Sequence, residues 1–168
     1  MDGTLLNDSK LIGEKSIFYI KKAIDKGIKF VIASGRVPAA LKYYEYTISR
    51  NQPIICCNGA IILDHDKNII SEKSLSKESI LKIVDVLREK KDTYYHFYVG
   101  NVLCCEQFDL AAKRFYEFNR GVERKYRMEI RIVVDTKEYV QTGRHDINKI
   151  VVMDSDNNYL KNIRKKIE

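Results

Sequence analysis

Three short stretches carry residue types that could do chemistry: Asp2-Gly3-Thr4-Leu5-Leu6, Ser34-Gly35-Arg36 and Asn58-Gly59-Ala60. An Asp-Gly pair by itself marks a turn and nothing more. A hydroxyl followed by glycine at the end of a buried strand says more. That hydroxyl and the free backbone N–H groups beside it can hold a phosphate group. Each stretch is weak alone. In this order, with one helix and one strand between the first two, they become specific.

The elements that must position them can be read from periodicity. Residues 1–9 form a loop. A helix follows, with Ile17, Ile20, Ala23 and Ile24 on one face and Gly27 as its terminator. The apolar run 28–33 predicts a buried strand, parallel to its neighbour. Pro38 opens a second helix, expected to run to about Arg50, and 54–57 is a second buried strand. Alternation of this kind is the signature of a doubly wound α/β sheet, whose ligands bind at the C-terminal ends of the strands. Asp2, Ser34 and Asn58 fall at such ends. Asp2 should itself follow a strand, and only Met1 precedes it.

Beyond Asn58 the pattern changes. Residues 60–63 and 68–71 predict a hairpin with Asp64-His65-Asp66-Lys67 at its tip, His65 being a solvated turn residue. Residues 76–91 read as an amphipathic helix capped by Ser76 or Ser79. Two strands, 93–99 and 102–106, meet at Gly100-Asn101, a tight-hairpin signal. A helix over 108–118, strands over 130–134 and 147–153, and a helix over 157–167 complete the chain. This half reads as α+β, with antiparallel strands and helices on one face. The boundary falls in the first hairpin, giving units 1–70 and 71–168.

Composition sets the outer limits. Hydrophobic residues are 45% and charged residues 32%, with 8 Gly and 2 Pro, which describes a globular chain. No apolar run approaches the ~18 residues of a membrane helix, and the start has no signal-peptide pattern. A cytoplasmic location is expected. Lys and Arg number 30 against 23 Asp and Glu, a net +7 that favours anionic partners. The basic residues are spread out, so the expected partner is a small phosphorylated metabolite rather than nucleic acid or a membrane. Cys56-Cys57 and Cys104-Cys105 lack metal-site or redox spacing and read as buried free thiols.

With these motifs the chain resembles the haloacid dehalogenase (HAD) superfamily, in its Cof-type, IIB phosphatase subfamily with a large α/β cap. Met1-Asp2-Gly3-Thr4-Leu5-Leu6 is similar to the x-Asp-Gly-Thr-Leu-Leu portion of that family's first motif. Ser34-Gly35-Arg36 is similar to the second motif, and Asn58-Gly59-Ala60 to a stretch common after the next strand. The resemblance implies an HAD-like, doubly wound (Rossmann-like) core, incomplete here, with an α+β cap inserted. It implies phosphatase chemistry through an aspartyl-phosphate, with Mg²⁺ as cofactor and sugar phosphates as the usual substrates. Asp2 would be the general acid/base, its backbone carbonyl a Mg²⁺ ligand. Ser34 and the Gly35 N–H would hold the transferring phosphoryl group. Gly3 and Thr4 would shape the loop, Asn58 would lie near the phosphate or the cap entrance, and Arg36 would contact substrate or serve as a structural ion pair.

The departures matter equally. The family's nucleophile would lie immediately before Met1. Its third motif, a Lys after the cap, and its fourth, Gly-Asp-x-x-Asn-Asp, are not found. Lys149 sits inside a strand-like run, and Asp154-Ser155-Asp156 lacks the flanking residues required. The chain is therefore read as a core-and-cap fragment, inactive as it stands, with apolar faces of its core elements left uncovered. A non-catalytic phosphate-binding or interaction protein from this family is the alternative. A basic RNA-binding domain is a third reading, supported by no motif. Tyr94, Tyr95, His96 and Tyr98 read as packing, although they could face a ligand. Arg124, Arg127, Arg131 and Arg144 read as solvated surface that could meet an anion.

Overall fold

The computed structural model describes residues 1–48 and 51–167. It is a mixed α/β chain with two four-stranded sheets, and its contacts divide it into two units, Met1–Lys73 and Ser74–Glu168.

In the first unit, helix α1 (Glu14–Asp25) ends as its sequence dictates. Gly27 has φ +83°, its N–H donates to the Ile24 carbonyl at 2.8 Å, and Ile28 N–H reaches back to the Ala23 carbonyl at 3.1 Å. This paired closure satisfies two orphan carbonyls, and the positive φ favours glycine. No residue of α1 is fully buried, and its Phe18 and Tyr19, like Ile28 just beyond its end, are exposed.

Strand β1 is far shorter than the apolar run suggests, covering only Ile32–Ala33. Its partner β2 (Ile54–Cys56) offers three residues, and the parallel ladder pairs Ile32 with Ile54 and Ala33 with Ile55. Upstream of the ladder, Phe30 N–H bonds the Gln52 side-chain oxygen at 3.2 Å instead of a neighbouring strand. An apolar run signals burial, but a strand needs a partner of equal length. The expected single helix from Pro38 divides into a 3₁₀ turn, Pro38–Ala40, and α2 (Lys42–Ile48). Leu41, Tyr44 and Ile48 lie on its buried side at helical spacing. Its expected end near Arg50 lies outside the described residues.

Strands β3 (Ile61–Leu63) and β4 (Ile69–Glu72) form the expected antiparallel hairpin, giving the sheet order β1-β2-β3-β4. Asp64 closes its tip by accepting from the backbone N–H groups of Asp66 (2.9 Å) and Asn68 (2.8 Å). His65 is solvated there, paired with Asp66.

The second unit is built on a sheet of β5 (Tyr94–Val99), β6 (Val102–Cys105), β7 (Glu129–Ile132) and β8 (Ile147–Met153), in the order β7-β6-β5-β8. Helix α3 (Lys77–Arg88) starts at Ser76, whose hydroxyl accepts from Ser79 N–H at 3.1 Å. Helices α4 (Leu110–Gly121), α5 (Thr136–Thr142) and α6 (Asn157–Ile167) complete it.

Two expectations are corrected. The β6–β7 pair is parallel, because α4 serves as a crossover between them. The helices also lie on both faces of the sheet. Alternation along β5 sends Tyr95 and Phe97 to one face, into a core with Ile80, Val84 and Leu87 of α3, Val140 of α5 and Ile163 of α6. Tyr94, His96 and Tyr98 go to the other, where the Tyr94 hydroxyl accepts from Ala112 N–H of α4 at 3.1 Å. All four of the β5 ring residues singled out from the sequence are buried, as packing requires. Helix α5 was not anticipated at all. Its seven residues bury only Thr136 and Val140, too little for an apolar stripe, and the Asp135 cap is what marks it. The four cysteines are buried and free. Among the described residues no helix is long and apolar enough to cross a membrane.

Candidate functional site

All the site residues expected from the sequence lie in the first unit, and the ends of β1 and β2 bring most of them together. Past β1, Ser34 N–H still follows the ladder, donating to the Ile55 carbonyl at 2.9 Å. The chain then turns. Arg36 N–H donates to the Ser34 hydroxyl at 3.2 Å, which leaves that hydroxyl its own proton to give away.

Past β2, Cys57 (φ +52°), Asn58 (φ +58°) and Gly59 (φ +93°) are successive left-handed residues. Two of them carry side chains, a backbone cost that neighbouring bonds must offset. Those bonds run to the first turn: Cys57 N–H to the Arg36 carbonyl (2.9 Å) and Asn58 N–H to the Ser34 carbonyl (3.2 Å). The two turns approach so closely that a Cβ on Gly35 would sit 2.3 Å from Asn58 Oδ1. Ser34, Gly35, Arg36 and Asn58 are thus one construction.

Asp2 reaches it through Arg36. The Met1–Leu6 segment winds on itself, with Thr4, Leu5 and Leu6 N–H all donating to the Met1 carbonyl. The Thr4 hydroxyl donates to the same oxygen at 3.0 Å, and Gly3 takes φ +69°. Asp2, half exposed, accepts from Lys10 Nζ at 3.1 Å and from Arg36 Nη2 at 3.1 and 3.3 Å. The Lys10 hydrogen bond, then Arg36, hold its carboxyl below the ordinary carboxylate value, with slight desolvation opposing them.

Two residues of this cluster were missed in the sequence. Arg36 Nη1 donates to the Tyr44 hydroxyl at 2.9 Å, and its guanidinium carbon lies 5.0 Å from the Tyr44 ring centroid. The Tyr44 hydroxyl in turn donates to the Lys10 carbonyl at 3.1 Å. Asp2, Arg36, Tyr44 and Lys10 therefore close a circuit. Tyr44 looks like a core residue in sequence, and it is buried. Lys10 belongs to no motif.

A divalent cation requires several hard oxygen ligands. Both Asp2 oxygens face cationic side chains, and the described residues contain no group of three or more His, Cys, Asp or Glu able to hold a metal. These residues do not fit Mg²⁺ by themselves. In the second unit, Arg131 is engaged by Glu129 (2.7 Å) and the Tyr139 hydroxyl (3.2 Å), and Arg127 by the Val122 carbonyl (3.2 Å).

The family model for haloacid dehalogenase-like hydrolases matches residues 1–168. This chain belongs to that family. The chain is 35% identical over 95 residues to the 5-amino-6-(5-phospho-D-ribitylamino)uracil phosphatase YcsE of Bacillus subtilis, a match covering 56% of this chain and 38% of YcsE. It is 33% identical over 119 residues to YwtE of the same organism, a phosphatase of the same name, covering 71% of this chain and 40% of YwtE. Among solved structures, a haloacid dehalogenase-like hydrolase from B. subtilis superposes with a TM-score of 0.79 at 17% identity, over 98% of this chain and 63% of that one. The subclass IIB sugar phosphatase BT4131 gives 0.72 at 22% identity, over 99% and 61%. At those identities the structures attest the fold alone. The chain spans about two fifths of the length of these two curated relatives.

Proposed function

We propose that the whole protein is a Mg²⁺-dependent phosphatase of small phosphorylated metabolites, with sugar phosphates foremost, working in the cytoplasm. The observation that carries this reading is the joined pair of strand ends, where the Ser34 hydroxyl, Gly35 and Asn58 form one turn-on-turn construction. Named relatives act on phosphorylated metabolites, a ribityl phosphate and pyridoxal phosphate among them.

In this reading Ser34 donates its hydroxyl proton to a phosphoryl oxygen. Gly35 lets that oxygen approach the backbone, since any Cβ there would displace Asn58. Asp2 shuttles the proton between leaving group and water. The resemblance places the nucleophilic carboxylate outside these residues, together with the remaining ligands of the magnesium ion. The 168-residue chain by itself is therefore expected to turn over no substrate.

The test is a panel of phosphomonoesters offered with Mg²⁺ to the product of the complete reading frame that includes these residues. Release of inorganic phosphate from sugar phosphates is the expected result. Release from none of the panel would refute the reading. A second reading, a non-catalytic phosphate-binding protein, is favoured by one feature: Asp2 is tied up by two cations.

A further inference from the structure

A cavity of about 640 Å³ opens at one end of the second unit's sheet, where β5 begins and β6 and β8 end. That is an ordinary size for a small-molecule site. The chain enters this unit at the opposite end of β8, where Leu75 N–H donates to the Ile147 carbonyl at 2.8 Å. Leu110 and Met153 give the cavity apolar walls, and Tyr94 lines it from β5. Tyr94 is 3% exposed, and its hydroxyl oxygen accepts from Ala112 N–H at 3.1 Å. The hydroxyl proton itself has no acceptor among the described residues. Burial pushes the phenol up to about 12, so that proton stays in place. A buried donor without an acceptor is costly unless a ligand supplies one.

The charges around the cavity narrow the ligand. Lys90 Nζ lies 2.7 and 2.8 Å from the two Asp154 oxygens, and Asp109 is 3.0 Å from Lys113 Nζ. Those charges cancel in pairs. Lys91 and Asp92 also line the cavity, and among the described residues neither has an ion pair or a side-chain hydrogen bond. A positive and a negative charge are therefore left over. A sugar would neutralise neither, and a simple anion would meet Asp92. A zwitterion complements both. Leu110 points the same way. It opens α4 with φ +34°, a left-handed conformation that a bulky side chain rarely adopts. Glycine would sit there without strain, yet the position sets an apolar side chain against the cavity.

We propose that this cavity binds an aliphatic α-amino acid in its zwitterionic form: Lys91 and the Tyr94 hydroxyl hold the carboxylate, Asp92 holds the ammonium, and Leu110 and Met153 receive the side chain. Hydrogen bonds from Lys91 and Tyr94 to a carboxylate are charge-assisted, which favours the zwitterion over an uncharged ligand of the same shape. The proposal does not rest on phosphate chemistry in the first unit.

The product of the complete reading frame that includes these residues is titrated with L-leucine while its amide resonances are followed. The expected result is a saturable shift of the Asp92, Leu110 and Ser155 amides. Leucine amide, which lacks the carboxylate, and isocaproate, which lacks the ammonium, should each bind about tenfold more weakly. Tyr94→Phe keeps the ring and should weaken leucine binding about tenfold. Asp92→Asn and Lys91→Gln, at exposed side chains, should each weaken it about threefold. Leu110→Gly relieves the backbone and removes an apolar wall, so it should weaken binding about fivefold without lowering the urea midpoint. The absence of a saturable shift overturns the proposal. So does equal binding of either analogue, binding indifferent to Asp92→Asn and Lys91→Gln, or the same amide shifts produced by methyl glucoside or inorganic phosphate in place of leucine. Phosphate release is not the readout, so this proposal and the phosphatase reading fail separately.

Discussion

His96 makes the second unit acid-sensitive in a way that can be worked through. It sits on β5, 2% exposed, between Cys105 of β6 and Val151 of β8. Its Nε2 lies 3.1 Å from the Tyr98 hydroxyl, the rings of Tyr94 and Tyr98 flank it, and its Nδ1 has no hydrogen-bond partner among the described residues. A protonated imidazole has two donors to satisfy and a charge to solvate, and this site offers little for either. Burial, with the Lys149 charge adding to it, pushes its pKa down to about 4 from an ordinary 6.5. The unfolded chain therefore binds the proton more readily than the folded one between these values, and stability rises with pH across that window. The contribution is fully present above pH 6.5, has lost about 2 kcal/mol at pH 5, and is lost to the extent of about 3 kcal/mol below pH 4. His96→Phe keeps a flat ring and cannot titrate. Urea denaturation of wild type and variant at pH 8 and pH 5, followed through second-unit resonances, should show the wild type losing about 2 kcal/mol more than the variant. Proton NMR of the three histidines gives the direct check. A His96 midpoint near 6.5, or equal acid losses in the two proteins, would refute the reasoning.

Gly35→Ala should leave overall stability within about 1 kcal/mol, because the atom it meets is the end of a side chain. It should nevertheless displace Asn58 and weaken phosphate binding, seen as a changed Asn58 side-chain amide resonance and a raised phosphate midpoint. Glu106 gathers Arg88 Nη2 (2.7 Å), Tyr95 OH (3.0 Å) and Thr136 N–H (2.6 Å) on one oxygen. Glu106→Gln should therefore cost about 2–3 kcal/mol in urea denaturation of the second unit, and an unchanged midpoint would show the network to be energetically idle.

What was legible in the sequence was whatever local chemistry decides. Gly27 announced the end of α1, Asp64 to Lys67 the first hairpin and Gly100-Asn101 the second, because a positive φ or an Asx turn favours particular residue types wherever it occurs. The Ser34-Gly35-Arg36 and Asn58 turns stood out for the same reason. Features that depend on a distant partner did not. The apolar run 28–33 overstated β1 because its length is set by β2, and β7 looked antiparallel because strand direction is set by the α4 crossover. Tyr44 and Lys10 were invisible as site residues. One reads as core and the other as surface until the fold brings them within 3.1 Å of each other, closing the circuit around Asp2.

The central claim is that the Asp2 turn and the Ser34–Asn58 cradle serve phosphate-ester hydrolysis. The most direct measurement is steady-state phosphate release by the product of the complete reading frame, with Mg²⁺ and its best sugar phosphate, for wild type and Asp2→Asn. Asp2→Asn should lower kcat at least about 100-fold, the lower bound for removing a general acid/base, with the folded spectrum intact. An Asp2→Asn protein that turns over at the wild-type rate would contradict it.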